Sequence, residues 1–429
     1  MNFIKELLSD RDKVSHNLKM ILWGIGGLLL LVGFYGWAIR FIDGHIKANY
    51  GSIVTWGLWV AAYIYFIGLS AGSFLVSSMV YVFNYKKFER IGKLAVFTAL
   101  VTLLMALLSI WADLGHMGRA WHVMVFPNFK SPMAWMIYLY SIYMLLLFVE
   151  IYFLLRYDFV TGSNNETLKG KLYKLFSLGS TDKSEESKLR DKKIVKRLAT
   201  AGVPIAILFH GGVGALFGVV AARPHWHSGL FPILFLLSAL VSGGALLTLI
   251  SSIFQEGWSK NKEIVIELGK MVLALLLLDI LFQVSEFLVA YRGGIPGHTA
   301  GFDLVISGPY AWVFWGWQGF IGTIVPIVIL VLPTRKSPRW VALAGFLIAA
   351  GIFGLRLNIV IPGLAVEEIH GLTSAIYSHR VDPHYFPSIS EWLLTFGIVG
   401  FGMLLFGLGE HFLPTHNESE TESLSESKV

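Results

Sequence analysis

Residues 265–291 read VIELGKMVLALLLLDILFQVSEFLVAY. The stretch is long enough to cross a hydrocarbon core about 30 Å thick as a helix rising 1.5 Å per residue. Its only polar side chains past the first turns are Asp279, Gln283, Ser285 and Glu286. Asp279, Gln283 and Glu286 follow an i, i+4, i+7 spacing, so they share one helix face. An ionisable side chain inside a span costs about 2.5–3.5 kcal/mol on insertion scales, so this face must look onto protein or water rather than lipid. One segment thus states both a membrane helix and a bundle around it.

The rest of the chain agrees. Of 429 residues, 55% are hydrophobic and 14% charged, against about 25% charged in a soluble domain. Mean hydropathy is +0.65. This excludes a soluble enzyme, a nucleic-acid binder and a disordered protein. Apolar runs recur at 19–41, 54–83, 91–113, 132–156, 197–221, 229–254, 265–291, 310–333, 339–361 and 389–412, predicting an all-α integral membrane protein of about ten spans. The first run is followed by Arg40, Asp43 and His45 without a small-residue cleavage pattern, and reads as an uncleaved span.

Loop charge sets the expected direction. Lys5, Arg11, Lys13 and Lys19 precede span 1, loop 84–93 carries Lys86, Lys87, Arg90 and Lys93, and segment 156–197 holds eleven Lys and Arg. Lys260 and Lys262 lie in loop 255–264, and Arg335, Lys336 and Arg339 in loop 334–339. Alternate loops hold one or two each. The positive-inside rule places both termini and these loops in the cytoplasm. Segment 157–196 reads as a solvated linker, and the acidic tail from Glu418 onward as disordered.

Gly57-Leu58 and Ser70-Ala71-Gly72 recur as Gly229-Leu230 and Ser242-Gly243-Gly244, and Ser131-Pro-Met-Ala-Trp135 recurs as Gly308-Pro-Tyr-Ala-Trp312. The protein then divides into 1–53 (N-terminus and span 1), 54–221 (a four-helix unit with linker 157–196), 222–361 (a second four-helix unit), and 362–429 (outer loop, span 10 and tail). An even number of helices per unit makes them parallel repeats about an axis along the membrane normal.

Absence of cysteine removes thiolate zinc sites, iron–sulfur ligation and covalent haem. Only His210 lies deep inside a span, so no axial haem pair is evident, and no metal site is expected. The candidate chemistry lies elsewhere. Asp113 and His116, three apart at the outer end of span 3, would share a face if the helix continued, with Arg119 just beyond. A carboxylate beside an imidazole is a proton-accepting pair. His210 and the stripe Asp279, Gln283 and Glu286 suggest a proton path, with Arg356 in span 9 placed to neutralise it. Asn358 sits with Arg356 in the outer third of span 9, Gln318 and Glu391 are weaker candidates, and Glu150 is expected to snorkel to the inner interface. Proton-exchanging groups at mid-depth and on the outer side suit a lipid-soluble quinone; a proton-coupled secondary transporter with parallel repeats is the alternative.

At these residues the sequence resembles the polysulfide reductase/nitrite reductase membrane-subunit family (NrfD/PsrC-like). The resemblance rests on Gly68-Leu-Ser-Ala-Gly-Ser-Phe74, Asp113-Leu-Gly-His-Met-Gly-Arg119, Ser131-Pro-Met-Ala-Trp135, Ala222-Arg-Pro-His-Trp226, Arg356-Leu-Asn-Ile-Val360 and Tyr385-Phe-Pro-Ser-Ile-Ser-Glu391. Ten spans look like the larger members, such as the quinol-oxidising subunits of alternative complex III. The resemblance implies a subunit of a bacterial or archaeal cytoplasmic membrane that binds menaquinone or ubiquinone, or the quinol, near the outer face. It would carry no haem or iron–sulfur cluster itself. Electrons would pass to or from a ferredoxin-like iron–sulfur subunit docked outside, joined to a molybdopterin enzyme or multihaem cytochrome subunit. Proton translocation through buried carboxylates and histidines is implied for some members. Membrane lipid is the remaining partner, and no nucleic acid is expected.

Overall fold

The structure, a computed structural model, describes residues 11–254, 261–294, 296–367, 369, 371–376 and 378–415. Among these, every regular element is helical. The main helices are α1 (Arg11–Asp43), α2 (Leu58–Tyr81), α3 (Gly92–Asp113), α4 (Pro132–Gly162), α5 (Leu168–Phe176), α6 (Glu185–Gly218), α7 (Phe231–Ile253), α8 (Lys262–Arg292), α9 (Pro296–Ile306), α10 (Val313–Val331), α11 (Pro338–Ala365) and α12 (Ile389–Phe412). Each of the ten expected spans coincides with a long helix. Among the described residues, nine helices are identified as long and apolar enough to cross a membrane; α8, which carries the polar stripe, is 31 residues long. The tail from residue 416 and residues 1–10 lie outside the described residues.

Helix starts follow local chemistry. Pro132 and Pro338 occupy the first turns of α4 and α11, where a missing N–H costs nothing. Ser388 and Glu391 form a capping box on α12. The first part of α10, Val313–Ile324, is π-helical: the Thr323 hydroxyl donates to the Gln318 carbonyl at 2.8 Å. Such a stretch is rare and clusters at functional sites.

Helix α2 is the hub, buried almost from end to end, and packs on α3, α6, α7 and α11. The two sequence-repeat motifs meet where α2 crosses α7. A Cβ on Gly72 would collide with the Ala239 carbonyl, and one on Gly243 with the backbone of Gly72 and Ser73. Close backbone approach supplies the van der Waals contact that holds helices together in lipid, where apolar surface gains little from association. The flanking helices α1 and α12 pair with each other, and α12 also lies along α3. The outward face of α1 is apolar and open, with Ile21, Leu28, Leu31 and Phe34 exposed, as a lipid-facing surface requires.

One expectation gains detail and another is corrected. Segment 157–196, read as a solvated linker, is largely helical: α4 runs on to Gly162, α5 forms, and α6 begins at Glu185. The Arg156 guanidinium fixes it, donating to Asp191 Oδ2 at 2.7 Å, to Ser180 Oγ at 2.8 Å and to Ser187 Oγ. Arg156 and Asp191 are each 5% exposed at the side chain, so the pair is buried and desolvated. Glu150, expected to snorkel, is fully buried, and neither carboxyl oxygen has a hydrogen-bond partner. Its face of α4 turns inward between α3 and α6, a direction that residue type alone does not reveal.

Candidate functional site

Polar groups gather at two depths. The first cluster forms around the end of α3. That helix stops at Asp113 because Leu114 is extended, and Arg40 from α1 caps the free carbonyls: Nε donates to Ala112 O at 2.7 Å and Nη2 to Leu114 O. Arg40 Nη2 also lies 2.6 Å from His45 Nε2. A guanidinium can only donate, so this ring nitrogen accepts and His45 is neutral there. Burial, then the Arg40 charge, lower the His45 pKa. The Tyr50 hydroxyl is 3.2 Å from His45 Nδ1 and near enough to Asp113 for the two to act on each other electrostatically. Burial, with Asp113 and Glu391 nearby, pushes the Tyr50 hydroxyl well above its ordinary range. Asp113 Oδ1 is buried with no hydrogen-bond partner. Two residues before Asp113, Trp111 packs against two rings of α1, with Trp37–Trp111 centroids 5.4 Å apart and Phe41–Trp111 centroids 5.9 Å apart.

Glu391 closes the cluster on the α12 side. It accepts from the Asn49 N–H at 3.0 Å, the Ser388 N–H at 2.9 Å and the Tyr385 hydroxyl. Its lone pairs are used structurally, tying the loop before α12 to the entry of α2. A ring-sized cavity of about 230 Å³ adjoins this corner, lined by Tyr310, Trp312, Trp317, Asn358, Tyr385 and Trp392 among others.

The second group lies inside the bundle. Gln283 Nε2 donates to Asp279 Oδ2 at 2.6 Å, Gln318 Nε2 to Gln283 Oε1 at 2.9 Å, and Asn358 Nδ2 to Gln318 Oε1 at 2.9 Å. One run of amides thus ties α8, α10 and α11. Glu286 Oε2 accepts from Ser228 at 3.0 Å. Arg356, 1% exposed, donates to Ser238 Oγ at 2.6 Å and stacks over the Phe235 ring at 4.4 Å, while its Nε and Nη1 have no hydrogen-bond partner. These side chains line one cavity of about 70 Å³. A water needs roughly 10–15 Å³ of such volume, so a short file of waters fits there.

His210 is fully buried, and neither ring nitrogen makes a hydrogen bond. A Cβ built on Gly68 would lie 3.5 Å from His210 Cε1 and 3.6 Å from both Arg356 Nη2 and Ser242 Oγ. Gly68 therefore marks the point where the polar groups of α6, α7 and α11 converge on α2. A third line of hydroxyls descends α4: Tyr140 bonds Tyr63, Tyr143 lies 3.3 Å from Ser70 Oγ, and Glu150 follows on the same face.

Of the residues expected from the sequence, Asp279, Gln283, Glu286 and Arg356 share one cavity, and His210 adjoins Arg356. Asp113 and His116 do not share a face: the helix ends between them, and His116 and Arg119 lie in a short turn with no buried residue. Arg40, His45, Tyr50 and His225 carry no such signal in the sequence. Arg40 reads there only as the polar end of a span, and its partners lie 72 and 74 positions away. His225, buried against Phe302, borders the inner cavity.

A multi-pass helical bundle, nine of whose helices among the described residues are long and apolar enough to cross a membrane, defines an integral membrane protein, here with polar side chains gathered inside it. The protein belongs to the polysulphide reductase NrfD family, which it matches over residues 47–367. It is similar to a selenate reductase subunit of Mesobacillus selenatarsenatis, 38% identical over 94% of the present sequence and 96% of that one. It also resembles the Hdr-like menaquinol oxidoreductase integral membrane subunit of Archaeoglobus fulgidus, 28% identical over 92% and 93%. A polysulfide reductase polypeptide of Wolinella succinogenes is 25% identical over 72% of the present sequence and 94% of that one. These relatives are subunits of oxidoreductases.

Proposed function

We infer that this protein is the quinone-reactive membrane subunit of a respiratory reductase complex. The quinone ring approaches past Trp37, Phe41 and Trp111, and Asp113 exchanges its protons. The observation that carries this reading is the buried Asp113 Oδ1, unpartnered beside Tyr50 and His45 at the end of a span. An acceptor without a donor is costly to bury, and a quinol hydroxyl supplies the missing donor. The relatives' names favour this chemistry over a secondary transporter: one is called a menaquinol oxidoreductase subunit and one a selenate reductase subunit. Menaquinol or ubiquinol would give its electrons to an iron–sulfur subunit docked outside, joined to a molybdopterin or multihaem partner. His116 and Arg119 stand at the rim, toward water and that partner. His210 and the Asp279–Gln283–Glu286 face, with Arg356, would carry protons, with both termini in the cytoplasm of a bacterial or archaeal cell.

The cavity of about 230 Å³ beside Tyr385 and Asn358 supports a second location for the ring. Quinol turnover by the intact complex separates the two. Asp113→Asn should slow it by about 10²–10⁴-fold, the usual cost of a lost proton acceptor, with Tyr50→Phe following in the same direction and the complex still assembled. Normal turnover in Asp113→Asn together with its loss in Trp392→Leu, whose side chain lines that cavity alone, would move the site there.

A further inference from the structure

The short helix α5 has no part in either polar group, yet it presents an unusual surface. Leu168, Leu172, Leu175 and Phe176 follow an i, i+4, i+7, i+8 spacing and so share one side of the helix. That side points away from the protein: Leu168 is 66%, Leu175 67% and Phe176 40% exposed. Just beyond it, Leu178 is 74% exposed in the left-handed backbone region, at φ 51°. That conformation crowds a leucine side chain, so the turn holds an apolar group outward against its own preference. Lys169, Lys171 and Lys174 flank the stripe and are themselves exposed.

The depth of α5 says what covers this face. Its inward residue Tyr173 meets Phe159 of α4 edge-on at 5.3 Å, and Phe176, at the edge of the stripe and only 40% exposed, packs on the same ring at 5.5 Å. Phe159 lies 27 positions after Pro132, at the opposite end of α4. At 1.5 Å per residue that is about 40 Å, past a hydrocarbon core of about 30 Å and into the headgroup layer. An apolar stripe flanked by lysines at that depth has the make-up of a helix lying in the interface plane.

We propose that α5 lies in the membrane interface, with Leu168, Leu175 and Leu178 in the acyl boundary and Lys169, Lys171 and Lys174 on the headgroups of anionic phospholipids. It is a lipid-binding site at the membrane face of the basic loops, independent of the quinone reading.

The protein has no cysteine, so single cysteines report cleanly. Leu175→Cys, Leu178→Cys and, as a water-exposed control, Thr181→Cys are labelled with nitrobenzoxadiazole in the intact complex. The complex is then placed in nanodiscs of phosphatidylglycerol or phosphatidylcholine containing a lipid spin-label quencher. Positions 175 and 178 should be quenched strongly and position 181 little, with more quenching in phosphatidylglycerol. Lys169→Gln, Lys171→Gln and Lys174→Gln together should abolish that preference, the attraction to anionic lipid being about fivefold per lysine. If Leu175→Cys fails to assemble, Leu168→Cys gives the same readout. Equal quenching at 175 and 181 overturns the proposal. So does shielding of 175 from aqueous iodide without lipid quenching, which would mean a protein covers the face. Equal quenching of 175 in the two lipids overturns the headgroup assignment.

Discussion

Arg356 and Asp279 line one cavity but do not pair. Arg356 gives its Nη2 proton to Ser238 Oγ at 2.6 Å, and Asp279 takes the Gln283 amide at 2.6 Å. The sequence placed Arg356 to neutralise the α8 stripe; the structure sets both groups on one cavity, close enough to act on each other electrostatically but without a direct ion pair. A carboxylate locked to a guanidinium would have little freedom to gain a proton. Separation leaves Asp279 Oδ1 without a hydrogen-bond partner, free to exchange one with a water.

That arrangement gives the Asp279→Asn variant a sharp meaning. The new amide oxygen can still accept from Gln283, so the run of amides to Gln318 and Asn358 survives and the complex should assemble. It cannot titrate. Proton uptake or release per electron, measured in proteoliposomes holding the whole complex, should fall below wild type or turnover should slow by about tenfold or more. Wild-type rate and stoichiometry would make Asp279 structural.

The buried pair Arg156–Asp191 should hold the inner segment. Removing one partner leaves an uncompensated buried charge, at a cost of about 3–5 kcal/mol. Asp191→Ala should therefore lower the thermal unfolding midpoint markedly and open the 177–184 turn to protease. Arg156→Met combined with Asp191→Leu should recover much of the loss. Equal stability of Asp191→Ala and wild type would mean that the pair is solvated.

His225, in the loop before α7, predicts a pH effect. Burial foremost, helped by His298, lowers its pKa to about 4. Below an ordinary value of about 6.5 the unfolded protein takes up a proton that the folded protein refuses, so stability falls as pH drops from about 6.5 to 4, by up to about 3 kcal/mol. His225→Gln should flatten the melting temperature across this range. An unchanged pH slope in the variant would assign the effect to another group.

Orientation is testable with the same cysteine-free background. Ser184 and Ser378 lie exposed at opposite ends of the bundle. Single cysteines there should differ in intact cells, an impermeant thiol reagent labelling position 378 and sparing 184. Preferential labelling of 184 would invert the topology and move the Asp113 cluster to the cytoplasmic side.

The ten spans were legible in the sequence because a spanning helix must satisfy its own backbone and meet lipid along its length, and both demands are written locally in apolar runs. The α8 stripe was legible for the same reason: helical spacing alone puts Asp279, Gln283 and Glu286 on one face. The Asp113–His116 pair was not, because it depended on whether the helix continued, and Arg40 from another span decides that by capping α3 at Asp113. Only the tertiary structure brings Tyr50 and His45 to Asp113, turns Glu150 inward, and sets Arg356 on Ser238. Which side chain faces which across helices depends on crossing points such as Gly72 on Gly243. Those crossings are fixed by close packing between distant segments, to which no local pattern of residues refers.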